Sequence, residues 1–69
     1  MATELASPHG PITVGTILHY IPFAGSVVRV QVTRVERNIK NGRPGFDGIV
    51  TSDGSLVWGY TDQITHVEG

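Results

Sequence analysis

The chain contains no cysteine. Disulfide stapling and thiolate metal sites are therefore excluded, and nothing points to an oxidising compartment. No apolar stretch approaches the ~20 residues that a membrane-spanning helix requires, and no basic segment followed by an apolar one reads as a secretory leader. Lipidation and retention motifs are not visible either. The expectation is a cytoplasmic chain with no membrane role. Charge is sparse: five Lys and Arg against six Asp and Glu leave a net charge of -1. Aromatic residues are few, with one Trp, two Tyr and two Phe. At 69 residues the chain makes one domain, which buries only about 60% of the surface its unfolded form exposes. Tight local turns and self-association into a homo-oligomer are the remaining ways to stabilise so small a core.

What charge there is lies unevenly. All five cations, Arg29, Arg34, Arg37, Lys40 and Arg43, fall within residues 29 to 43, where Glu36 is the one acid; residues 44 to 69 carry Asp47, Asp53, Asp62 and Glu68 and no Lys or Arg. One stretch attracts anions and the other repels them.

Residues 1 to 13 mix small and polar side chains with Pro8, Gly10 and Pro11 and show no periodicity, which predicts a flexible tail ahead of a domain at 14 to 69. From Gly15 to Ile21 both alternating sets contain apolar members, predicting a first strand covered on both sides for part of its length. Pro22, Phe23, Ala24 and Gly25 turn the chain. From Ser26 to Arg37, Val28, Val30 and Val32 alternate with Arg29, Gln31 and Thr33, a strand with one apolar and one polar face. Val35 falls out of that parity, so keeping it in the core demands a bulge near Thr33 and Arg34.

Two turn signals follow, Asn41-Gly42 and Pro44-Gly45, within an expected connection over 38 to 45. A strand Phe46 to Thr51 and a strand Leu56 to Tyr60 flank Asp53-Gly54, a hairpin signal. A two-residue turn there pairs Val50 with Val57 and Asp47 with Tyr60, and sets Gly48 opposite Gly59, leaving a hollow that a side chain or ligand can approach. Thr61, Asp62 and Gln63 suit one helical turn, capped by Thr61 or Asp62, before a last strand Ile64 to Val67.

That succession and the ending DGSLVWGYTDQITHV resemble a Src-homology-3-like barrel of the Tudor or KOW kind over residues 14 to 67. The resemblance implies an all-β, five-stranded barrel with a single helical turn before the last strand. More loosely, NIKNGRPGFDG followed by WGYTDQI is similar to short uncharacterised proteins of actinobacterial phages. Such barrels serve peptide, methyl-lysine, nucleic-acid and structural roles, so the fold does not select a function.

The residues narrow the choice. Arg29, Arg37, Lys40 and Arg43 form a candidate nucleic-acid or nucleotide surface, but the aromatics lie outside the basic window. An ion-paired face, with Asp47 and Asp62 on adjacent strands, is the preferred reading of that stretch. Tyr20, Phe23, Trp58 and Tyr60 are candidates for an aromatic contact surface, with Arg29 and Arg34 as charged neighbours. Of Phe46 and Trp58 one must fill the core, because their strands pair with opposite parity. His9, His19 and His66 lack metal-site spacing, so no metal or other cofactor is expected. Asp47, Asp53 and Asp62 sit beside turns with no nucleophile or base matched to them, and no catalytic activity is expected. The chain is therefore read as a non-enzymatic protein-binding module, a phage accessory protein contacting a host protein or itself. Nucleic-acid binding and structural self-assembly through a strand edge are the alternatives.

Overall fold

The computed structural model describes residues 4–22 and 25–68. Five antiparallel strands are present: β1 Ile17–Tyr20, β2 Val28–Lys40, β3 Arg43–Val50, β4 Leu56–Tyr60 and β5 Ile64–Val67. They form one sheet in the order β4-β3-β2-β1-β5, with a 3-10 turn, Thr61–Gln63, between β4 and β5. The hydrogen-bonded sheet is open, its edges being β4 and β5. Yet these two edges are joined by three residues, a link that reaches at most about 14 Å. The sheet must therefore curl strongly, and it does so within extents of 28 × 24 × 20 Å. No helix among the described residues is long and apolar enough to cross a membrane.

The curl rests on β2. Val30 and Val32 are fully buried against β1 and β3, and Val35 returns to the core because the β2–β3 register slips between Val32 and Arg34. Thr33 is the extra residue. The bulge demanded by valine parity is thus present, and it keeps Arg34, opposite Asp47, on the outer face. A second slip between Glu36 and Lys40 sets Arg37, Asn38 and Ile39 against Pro44 alone. Pro44 has no N–H to contribute to a ladder, so an irregular stretch is where a strand tolerates it. Pro44-Gly45 is consequently strand rather than turn. The turn is Asn41-Gly42 alone, both with positive φ (57° and 72°), as a two-residue type I′ hairpin requires.

The β3–β4 hairpin differs from the expected register by two residues. Val50 N–H bonds Ser55 O at 2.8 Å, leaving Thr51 to Gly54 as a four-residue loop, and Asp47 pairs with Trp58 instead of Tyr60. Gly54 supplies a positive φ of 75°, while Asp53 Oδ1 accepts the Ser55 N–H at 2.9 Å. This bond holds the Asp53 carboxyl below its ordinary range. A two-residue shift preserves parity, so the faces are unaltered: Phe46 is fully buried and Trp58 lies on the outer face. Gly48 faces Val57 and Gly59 faces Phe46. The expected hollow is filled by neighbouring side chains, since a Cβ at Gly59 would stand 2.9 Å from Tyr20 Cε2 and one at Gly48 2.7 Å from the Gln31 carbonyl oxygen.

The described part of the expected tail, residues 4 to 13, is tied down. Leu5 and Ile12 exchange two backbone hydrogen bonds of 2.8 Å across a Ser7–Gly10 turn, and both side chains join the core at 7% and 1% exposure. Burial of these two aliphatics and the hydrogen bonds across the turn offset part of the entropy lost in ordering the segment. Ile12→Ala should therefore destabilise the protein by about 2–5 kcal/mol, read as a lowered urea midpoint at unchanged slope. An unchanged midpoint would return this segment to the status of a free tail.

Candidate functional site

Two polar constellations occupy the outer face of the sheet. At one corner, β1 and β5 pair His19 with His66, and β1 and β2 pair His19 with Arg29. Glu68, just past β5, reaches back over them. Its Oε2 accepts from Arg29 Nε at 2.7 Å and lies 2.6 Å from His19 Nε2, while Oε1 accepts from Arg29 Nη2 at 3.1 Å. The two rings meet edge to face, centroids 5.4 Å apart. The bidentate Arg29 contact and, second, the His19 contact hold the Glu68 carboxyl down at about 2. Among the described residues no group of three or more His, Cys, Asp or Glu side chains is arranged to hold a metal.

At the other end, the second slip in β2 folds the tip of the β2–β3 hairpin over β4. Ile39 packs directly on Gly45. Asn41 Nδ2 donates to the Tyr60 hydroxyl at 3.3 Å, the Arg43 guanidinium lies 4.0 Å above the Tyr60 ring centre, and Lys40 Nζ lies 5.2 Å from that of Trp58. Trp58 and Tyr60 themselves meet at right angles, centroids 5.4 Å apart. Arg43 also pairs with Asp62 of the 3-10 turn. Beside this roof opens a groove of about 410 Å³ lined by Arg34, Glu36, Asn38, Ile39, Lys40, Asp47 and Trp58.

The expected site residues thus separate. Trp58 is half-buried and lines the groove together with Arg34. Tyr60 is buried to 5% exposure beneath Arg43 and Asn41, outside the main core cluster. Tyr20 is a core residue, 2% exposed and packed edge to face on Phe46 at 5.2 Å, so it offers nothing to a partner. Arg29 belongs to the distant Glu68 corner. Phe23 lies outside the described residues. Of the basic set, Arg29, Arg34 and Arg43 are each paired with an acid, Glu68, Glu36 and Asp62 respectively; Lys40 sits on Trp58 and Arg37 is exposed on β2. The pairing of Arg43 with Asp62 agrees with the ion-paired reading, whereas Arg34 takes Glu36 rather than Asp47.

Glu36, Asn38, Ile39 and Asp47 complete the groove, although sequence reasoning gave none of the first three a role. Their signal was indirect: Pro44 after a long strand marks the irregular ladder that folds the hairpin tip over. Gln63 does more than occupy the turn expected of it. Its side-chain Oε1 accepts the Tyr60 N–H at 2.9 Å and its Nε2 donates to Ile21 O at 3.0 Å, so Gln63, not Thr61 or Asp62, fixes the start of the 3-10 turn. Comparison with family models, with curated proteins and with solved structures returned no match.

The Glu68 corner generates a pH dependence of definite sign. A carboxyl lowered from 4.5 to about 2 on folding makes the unfolded state bind the proton first, so its contribution is present above pH 4.5 and lost as pH falls toward 2. Glu68→Gln should flatten the fall in stability across that window. Acid titrations of the two proteins that superimpose would show that the corner contributes nothing.

Proposed function

We propose that this chain is a small non-enzymatic binding module, a Src-homology-3-like barrel whose two sheet edges approach across the 3-10 turn, and that it contacts a protein partner through the groove at Trp58. Strand order, the bent second strand and the single helical turn before β5 support the barrel reading. The observation that carries the functional reading is the half-buried Trp58 at the wall of a groove with cations and carboxylates around it. An aromatic anchor inside a polar rim is the arrangement in which interface residues contribute most. Charge favours a protein over a nucleic acid. Three of the five cations already have acidic partners, and Glu36 and Asp47 line the same groove, so a polyanion would meet little uncompensated positive field. A self-associating form of the same groove remains within this reading.

The test is parallel selection of a random peptide-display library on the wild-type chain and on Trp58→Ala, with single- and double-stranded oligonucleotides titrated against the fluorescence of the one Trp. Trp58→Ala should weaken the selected peptides by about 2 kcal/mol, roughly thirtyfold, while cooperative urea unfolding persists. Peptides that bind both proteins equally would move the site off the groove. Oligonucleotide binding that falls steeply with salt would favour the basic segment instead, and loss of cooperative unfolding would make Trp58 a packing residue.

A further inference from the structure

We propose that Asn41 is a site of spontaneous, backbone-assisted deamidation and that Asn38 governs its rate by holding the Gly42 N–H. The chain has two asparagines, Asn38 and Asn41. Asn38 precedes the β-branched Ile39, which crowds the following amide. Asn41 precedes Gly42, at the exposed tip of the hairpin, where even an added Cβ would meet nothing within 4 Å. With no side chain at Gly42, the one described contact on its nitrogen is the Asn38 amide oxygen.

The reaction needs only water. The Gly42 nitrogen loses its proton to solvent hydroxide and bonds to Asn41 Cγ; the Cγ–Nδ2 bond breaks, and Nδ2 takes up a proton and leaves as ammonia. The five-membered imide so formed is then opened by water at one of its two carbonyls, giving aspartate or the isomer whose main chain runs through the side chain. No oxidation or reduction occurs at any step.

Two contacts oppose it. The Gly42 N–H donates to Asn38 Oδ1 at 2.9 Å, a bond to the neutral amide that resists its ionisation. Asn41 Nδ2 is held on the Tyr60 hydroxyl at 3.3 Å. Asp53-Gly54 is an internal comparison: its aspartate accepts the Ser55 N–H and stays ionised to lower pH than usual, which disfavours attack on the same kind of carbonyl.

The consequence reaches the groove. A carboxylate at position 41 cannot donate to Tyr60, and it places a negative charge beside Lys40 and Arg43, the cations seated over Trp58 and Tyr60. Deamidation therefore replaces a donor by a charged acceptor in the roof over the aromatic pair, a slow change of surface charge at the site of proposed binding. Only its effect on a partner rests on that reading; the chemistry and its effect on Trp58 stand apart from it.

The experiment is mass-spectrometric peptide mapping of the full chain, held at neutral and mildly alkaline pH, for wild type, Asn38→Ala and Asn38→Asp, each folded and in urea. Asn41 should convert ahead of Asn38. Asn38→Ala should convert faster by roughly tenfold, one unit of N–H acidity, whereas Asn38→Asp, which keeps the acceptor, should stay near the wild-type rate. In urea the three should converge. If Asn38→Ala fails to fold, the wild-type folded-to-urea ratio alone decides: a ratio near one overturns the protection. Equal folded rates in wild type and Asn38→Ala overturn the role of Asn38, and an Asn41 that is as inert as Asn38 in the folded wild type and unconverted in both folded variants overturns the site. Asn41→Asp, carrying the product's charge, should shift the emission of Trp58; unchanged emission would overturn the coupling to the groove.

Discussion

The structure depends on one strand having to serve both ends of a small core. Thirteen residues of β2 pair with β1 along one side and β3 along the other, and a strand of that length in a flat sheet would leave its far half with nothing to cover. The extra residue at Thr33 solves this by kinking the strand and resetting its parity, so that Val35 meets Phe46 on the same side as Val30 and Val32. Once β2 bends, β3 must follow it, and a link of three residues suffices to carry the chain from β4 to β5. Gly48 and Gly59 then become obligatory, because Val30 and Tyr20 pack where their side chains would stand.

The groove is the second consequence of the same strand. Its later slip leaves three β2 residues against Pro44, and the surplus length bows the hairpin tip over β4. The contacts of the roof include two cation–π contacts, the Asn41–Tyr60 hydrogen bond and the exposed Arg43–Asp62 pair. Exposed contacts of this kind contribute about 0.5–1 kcal/mol each, far less than the buried core beneath. Tyr60 is covered by exposed polar side chains, whereas Phe46, on the opposite face, is packed in the core.

How much of this was legible in the sequence follows from the range of each interaction. The Thr33 bulge was readable because valine parity is a local pattern, and the opposition of Phe46 and Trp58 survived an error in hairpin register because parity is indifferent to a shift of two. The register itself was not readable: Asp53-Gly54 marks a turn, yet loop length depends on how Ser55 and Val50 close it. Leu5 and Ile12 were missed because two isolated aliphatics among prolines carry no period. Tyr20 was read as surface since nothing nearby in sequence reveals Phe46 and Gly59 waiting for its ring. The groove was only half visible, because Trp58 announces itself by residue type whereas Glu36, Asn38 and Ile39 matter only through the slip that gathers them.

The uneven distribution of charge along the chain has the opposite fate to the one it suggests. A basic stretch followed by an acidic one would create a field of one sign if the two stayed apart, but antiparallel pairing returns the acidic half across the basic half. Glu68 reaches Arg29 and Asp62 reaches Arg43, while Asp47 is carried opposite Arg34. The folded outer face is consequently a mosaic of both signs. Such a surface steers weakly at long range, where salt screens it, and discriminates at contact, where each charge must be matched. For the binding proposed at Trp58, this arrangement of charge favours selection by fit over attraction from a distance.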